Sequence, residues 1–157
     1  MSYYNRLKAT TYAHKWAMSR NPEYYNFDKI GGDCTNFVSQ ALFAGCGKMN
    51  YGKTFGWYYI DLNSRSPAWT GVGFLYKFLL NNKDSGPYGS EVSADEAEVG
   101  DIVQLDFGTG YAHSAMIVYK YKDEIRVSTH TFDCDNKLLS EYNYENVRFI
   151  HIEGVRI

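Results

Sequence analysis

The sequence contains no uninterrupted apolar run of about 18 residues, so no helix of it is expected to cross a membrane. A large excess of either charge is also missing. The formal net charge is -2, which removes the electrostatic case for a nucleic-acid partner. Cysteine is scarce, with three residues and neither a CxxC nor a close Cys/His pair, so no structural zinc site or other metal is expected. An odd count leaves one free thiol in any pairing within a monomer. Cys46 and Cys134 read as plain thiols, with a bridge between them left open. Repeats, low-complexity tracts and linkers are absent as well. The 157 residues therefore read as one domain, 1–157, long enough for a real core. The first residues, Met1-Ser2-Tyr3-Tyr4-Asn5-Arg6, lack the apolar stretch of a signal peptide. That leaves three possibilities: a protein that stays inside, one that leaves by another route, or a domain of a longer chain.

Aromatic side chains are abundant, at 17% with 15 tyrosines. Tyrosine offers a flat apolar face with a hydroxyl at its edge, which suits both cores and polar clefts. Composition alone does not choose between those uses.

The most informative stretch is Gly31-Gly32-Asp33-Cys34-Thr35-Asn36-Phe37-Val38-Ser39-Gln40-Ala41-Leu42. Two glycines break the chain and leave room for a backbone or a substrate to approach. Phe37, Val38, Ala41 and Leu42 then repeat at helical spacing. Asp33 is expected as the N-cap, Cys34 as the first helical residue and Gly45 as the C-cap. A buried cysteine is usually a small hydrophobe, but Cys34 lies at the edge of the apolar face, on the first turn. Unpaired amides and the macrodipole there favour thiolate, whereas the Asp33 charge opposes it. A nucleophile is the better reading, provided that a base exists elsewhere.

Around this stretch, residues 4–20 are expected to be helical, with Ala9, Ala13, Trp16 and Ala17 on one face and Asn21-Pro22 as the stop. Residues 46–70 read as a long glycine-bearing loop. Its Trp57 and Trp69 either cover a core or line a cleft. Residues 71–82 return to helix, Gly86-Pro87 starts another loop, and the acidic segment 91–98 reads as solvated surface. From residue 99 the period becomes two. Strands are expected over 102–105, 113–121, 125–132 and 147–152, with Lys122-Asp123 as a hairpin turn. Helices followed by an antiparallel sheet make an α+β fold, with the Cys34 helix packed on the sheet.

A thiol nucleophile needs a base and an orienting group. The sequence has four histidines. His14 reads as a surface residue, and His113 and His130 lie on consecutive expected strands. With a two-residue turn, Tyr121 faces Glu124, His130 faces Ala115 and His113 faces Phe132. The two imidazoles then share a sheet face, roughly 5–8 Å apart at Cβ. In that arrangement His113 takes the Cys34 proton and later protonates the leaving amine, and His130 fixes its tautomer. Asp133 is the rival orienter. Tyr111, Trp57 and Trp69 are candidate cleft walls.

These residues resemble a known family. Asp33-Cys34-Thr35-x-Phe37-Val38 resembles the nucleophile motif of the NlpC-type and CHAP-type papain-like cysteine peptidases and amidases. Val99-Gly100-Asp101-Ile102-Val103 looks like their P-G-D turn and strand, with Val in place of Pro. Ala112-His113-Ser114 matches the histidine that starts a strand, and His130 the third polar residue on the next strand. The closer resemblance, from end to end, is to the bacterial putative amidase domain family. It is carried by Tyr12-Ala13-x-x-Trp16-Ala17, Asn21-Pro22-x-Tyr24, Gly31 to Gln40, Ser66-Pro67-x-Trp69-x-Gly71-Val72, Gly100-Asp101, His113-Ser114 and Arg148-Phe149-Ile150-His151-Ile152.

The resemblance implies a papain-like fold and cofactor-free, thiol-based hydrolysis of an amide bond, with a peptide or peptidoglycan fragment from the cell wall as substrate. It also implies a tyrosine upstream of the cysteine that helps form the oxyanion hole. Tyr24 or Tyr25 would match, at a spacing that differs from the NlpC-type motif. A monomer is expected. The rival readings are a catalytically inactive cell-wall or glycan-binding module on the same scaffold, and a thiol acyltransferase with an amine acceptor.

Overall fold

The computed structural model describes residues 3–157. Met1 and Ser2, the start of the polar N-terminus read above, lie outside the described residues. The chain opens with helix α1 (Arg6–Trp16), capped by Asn5, whose side chain accepts from the Lys8 amide at 3.0 Å. Helix α2 (Cys34–Cys46) follows. A small hairpin, β1 (Tyr59–Asp61) and β2 (Ser64–Arg65), leads to the short α3 (Pro67–Thr70) and to α4 (Val72–Asn81). The rest is strand: β3 (Gly86–Val92), β4 (Ile102–Asp106), β5 (Tyr111–Tyr121), β6 (Glu124–Thr129), β7 (Cys134–Leu138) and β8 (Asn146–Arg156). These six form one antiparallel sheet in the order β3-β8-β4-β5-β6-β7. The fold is α+β.

Alternation along the central strands feeds two cores. Ile102, Met116 and Ile150 face the helices and join Phe37, Leu42, Leu75 and Leu79. Val103, Leu105, Ala115, Ile117 and Phe149 build the opposite face with Val127 and Leu139. Helices α1 and α2 cross closely at Gly45. A Cβ there would lie 2.6 Å from the Tyr4 ring and 2.8 Å from the Asn5 carbonyl, so no larger residue fits. Gly45 is thus a packing residue, not the expected C-cap. The cap is Gly47 at φ 65, whose amide donates to the Phe43 carbonyl. The first helix is also shorter than the expected 4–20.

Two further expectations are corrected. Segment 46–70 is not a plain loop. It holds β1, β2 and α3, and it drives Trp57 and Trp69 into the core, where both are fully buried with ring centroids 4.7 Å apart. Their indole N–H groups donate to Ser39 Oγ at 3.0 Å and Asn36 Oδ1 at 2.9 Å, so they brace α2 rather than wall a cleft. The segment from Gly86 is strand β3 rather than loop. Pro87 is tolerated because β3 is an edge strand, with one side free of ladder bonds.

The hairpin turn is where the sequence places it, and Tyr121 pairs with Glu124. The register then slips. Tyr119 pairs with Arg126 but Ile117 with Val127, so Val118 is an extra residue on β5. A bulge of this kind reverses the parity beyond it. The predicted partnership of His130 with Ala115 therefore fails, and with it the shared face of the two histidines.

Candidate active site

Helix α2 begins at Cys34, directly after Gly31 at φ 82 and Gly32 at φ 97, a backbone that side-chain-bearing residues rarely adopt. Asp33 stands at the N-cap position but makes no capping bond. Its buried carboxylate instead accepts from the Phe27 amide at 2.8 Å and from Asn36 Nδ2 at 2.9 Å. The amides of the first helical turn are thus left without a side-chain cap. The expected capping role of Asp33 is corrected to that of an anchor for the loop 27–33.

The Cys34 thiol is 7% exposed. Its sulfur lies 3.8 Å from Thr35 Oγ1, which in turn lies 3.0 Å from Ser114 Oγ. The thiol thus sits close to the residue that follows His113. Burial raises its pKa above the ordinary value, while the Ser114 amide and the Thr35 hydroxyl and amide pull it down. The Asp33 charge pushes it up as a lesser cause. Desolvation outweighs these hydrogen bonds, and the resting group is a thiol.

His113 is buried, between Phe107 with ring centroids 6.4 Å apart and Tyr142 at 5.9 Å. Its Nε2 is buried with no hydrogen-bond partner among the described residues. Burial, with a smaller contribution from the Lys137 charge, lowers its pKa from 6.5 to about 4. The imidazole is therefore neutral at pH 7. No hydrogen bond joins Cys34 to His113 among the described residues.

His130 is elsewhere, and both its ring nitrogens are engaged. Nδ1 meets Asp33 Oδ2, Nε2 meets the Trp16 carbonyl at 2.8 Å, and the ring packs on Phe37 with centroids 4.3 Å apart. A carbonyl only accepts, so Nε2 carries a proton. A second proton then lies between Nδ1 and the Asp33 carboxylate. His130 cannot orient His113 in this arrangement. It ties the end of α1 and the start of α2 to the sheet. Asp133 does not orient His113 either: it binds Arg20, with Nη1 at 2.7 Å, while Arg20 Nη2 also reaches Asp28 at 3.0 Å. Arg20 Nε lies 3.4 Å from Asp33.

Of the other expected residues, Tyr25 is 41% exposed, and its carbonyl accepts from Asn36 Nδ2 at 3.0 Å, which holds it near the start of α2. Tyr111 is half-buried and stacks on Arg148. Cys46 and Cys134 are both free. Among the described residues, no cluster of His, Cys, Asp or Glu could hold a metal.

Sequence reasoning missed a polar row that runs from the thiol across the sheet. Thr35 Oγ1 lies 3.0 Å from Ser114 Oγ, which accepts from Gln104 Nε2 at 3.2 Å. Gln104 Oε1 in turn accepts from Arg148 Nε at 2.8 Å. The signal was present in part: Thr35 and Ser114 directly follow Cys34 and His113, and a buried Gln at the centre of an apolar strand needs partners. Asp101, in the Gly100-Asp101 turn, is a structural anchor. Its buried carboxylate accepts from Arg6 Nη1 at 2.7 Å, His151 Nδ1 at 2.8 Å and the Ile152 amide at 3.0 Å.

The sequence model of the family described as "Putative amidase domain" matches residues 3–152. Two relatives from Bacillus subtilis (strain 168) are similar. Uncharacterized protein YhbB is 38% identical over 136 residues, which cover 83% of this chain and 42% of that protein. Uncharacterized protein YjcM is 34% identical over 140 residues, covering 82% of this chain and 31% of that protein. The chain thus spans less than half the length of these relatives. No solved structure matches. The family match extends over nearly the whole chain, so the chain belongs to the putative amidase domain family.

Proposed function

We propose that this member of the putative amidase domain family is a single papain-like domain that hydrolyses an amide bond through Cys34 and His113. The observation that carries the reading is the meeting of two groups. A thiol at the uncapped start of α2 is linked through the Thr35 and Ser114 hydroxyls to the residue after His113, the one buried histidine among the described residues with an unpartnered buried ring nitrogen. His130 has no such freedom, so the reaction uses a dyad rather than a Cys-His-His triad.

Both partners start neutral. As Sγ attacks the amide carbonyl, its proton passes to the His113 imidazole. Charge appears on the former carbonyl oxygen only during attack, and the backbone N–H of Cys34, at the helix start, donates to it in this mechanism. His113 then returns the proton to the departing amine. Water attacks the thioester, His113 takes its proton, and the acid product leaves with the thiol restored. Tyr25 and Tyr111 are the expected side chains that still have surface to offer a substrate.

The substrate we assign is bacterial cell-wall peptide, on the resemblance to NlpC-type and CHAP-type enzymes. Soluble peptidoglycan fragments incubated with the protein and read by mass test it. Release of the intact stem peptide means a muramoyl-alanine amidase, and a shortened stem an endopeptidase. Cys34→Ala should abolish either. A Cys34→Ala variant as fast as wild type would remove the thiol from the chemistry. One observation favours the rival binding module: the thiol is closed over in the resting state. That reading predicts no mass change with any fragment.

A further inference from the structure

Arg148 lies near the start of β8, paired with Gln104 on β4, which pairs in turn with Ser114 on β5. Its guanidinium carbon sits 3.6 Å from the Tyr76 ring centroid and 3.9 Å from that of Tyr111. Helix α4 supplies one ring and β5 the other. Nε is fixed by Gln104 at 2.8 Å, and Gln104 is itself held by Ser114 and by the Val72 carbonyl at 2.9 Å. The two terminal nitrogens have no partner among the described residues, and no ion pair reaches them there. Glu91, the acid nearest in influence, is occupied by the Tyr76 hydroxyl.

An exposed arginine that served only for solubility would sample many rotamers. This one is stacked on both faces and pinned at one edge, and its other edge is left open. Both faces are blocked, so a ligand must approach in the guanidinium plane. That is the approach of a carboxylate making two parallel N–H···O bonds. The row from Arg148 through Gln104 and Ser114 continues to Thr35, whose Oγ1 lies 3.8 Å from the Cys34 sulfur. The backbones of Arg148 and Ser114 are two strand spacings, roughly 10 Å, apart, so a few extended residues lying along the row reach from one group to the other.

We propose that Arg148, clamped by Tyr76 and Tyr111, binds a carboxylate of the peptide substrate a few residues from the amide that Cys34 attacks. The site selects acidic peptides over their neutral amides. It rests on the amidase reading for its place beside a reacting thiol, but carboxylate binding can be measured without turnover.

The test uses the 157-residue chain as Cys34→Ala, labelled with 15N-arginine, with the Arg148 Nε–H resonance assigned by its loss in Arg148→Lys. Two probes are titrated: an equimolar library of N-acetyl tripeptide acids, and the same library as C-terminal amides. The acids should move the resonance at about tenfold lower concentration than the amides, the discrimination expected of a charge-assisted bond. Arg148→Gln should erase the preference in a binding assay, and Arg148→Lys should keep part of it. A purely structural arginine would alter the melting temperature without changing the acid-to-amide ratio. Equal half-saturation by acids and amides, no shift with either, or an equal response to inorganic phosphate would overturn the proposal. Turnover of the libraries by the wild-type chain is scored separately. Acid-selective binding without cleavage keeps the clamp and removes the amidase. Cleavage without acid preference does the reverse.

Discussion

His113 and His130 are both buried at neighbouring strand ends, yet their surroundings differ in every respect that matters to chemistry. His130 is bonded on both nitrogens and paired with a buried carboxylate, so its proton is committed. His113 has aromatic neighbours, a free Nε2 and a pKa lowered by burial. A fold can make a histidine a strut by satisfying it, or a reagent by leaving it bare. An unsatisfied buried polar atom destabilises the native state, so a bare imidazole next in sequence to Ser114, the partner of Thr35, invites substitution.

The largest expected effect is on turnover. His113→Gln should lower kcat by at least about a hundredfold, while the melting temperature stays within about 3 °C, because no bond from Nε2 is lost. His130→Ala should behave in the opposite way. It strips a buried carboxylate of its partner, a change that costs about 3–5 kcal/mol, or a drop of about 10 °C in melting temperature for a chain of this size. Thermal melts and initial rates on the two variants would read both. Equal losses of rate and stability in the two would dissolve the contrast.

The sequence made much of this legible. The Cys34 helix, α4, the central strands and the Lys122-Asp123 turn follow from periodicity and turn chemistry, and His113 and His130 read as residues of consecutive strands, although His130 lies just past the end of β6. The pairing between them was not legible. A single extra residue, Val118, looks like any other β-branched strand residue, and nothing local marks it as a bulge. Trp57 and Trp69 were similarly ambiguous, because glycine-rich flanks read as loop and only the tertiary contacts with Ser39 and Asn36 bury them. Asp33 is the reverse case. Local propensity favours a cap, but a long-range partner, His130, wins the carboxylate.

A subtler contrast lies in the pH dependence of stability. The fold holds His113 neutral down to about pH 4, whereas an unfolded chain protonates it below 6.5. Wild type should therefore be fully stabilised above 6.5 and lose stability relative to His113→Gln as pH falls toward 4, by on the order of 3 kcal/mol. Between pH 7 and pH 4.5 the denaturant midpoint of wild type should fall relative to that of His113→Gln. Parallel curves would mean that the imidazole is not desolvated. The smallest effect should come from Asp133→Asn. Its ion pair with Arg20 is partly exposed, so about 0–1 kcal/mol is expected, with an unchanged rate. A large loss of rate would restore Asp133 as an orienter.

If a bare, neutral His113 is the base for Cys34, as proposed, the pH profile of hydrolysis carries its signature. The acid limb of kcat/KM for the wild type reads it, because that limb reports the essential base of the free enzyme. It should fall at about pH 4, where burial has placed the His113 imidazole. A limb centred at about 6.5, the value of an ordinary solvated histidine, would contradict it.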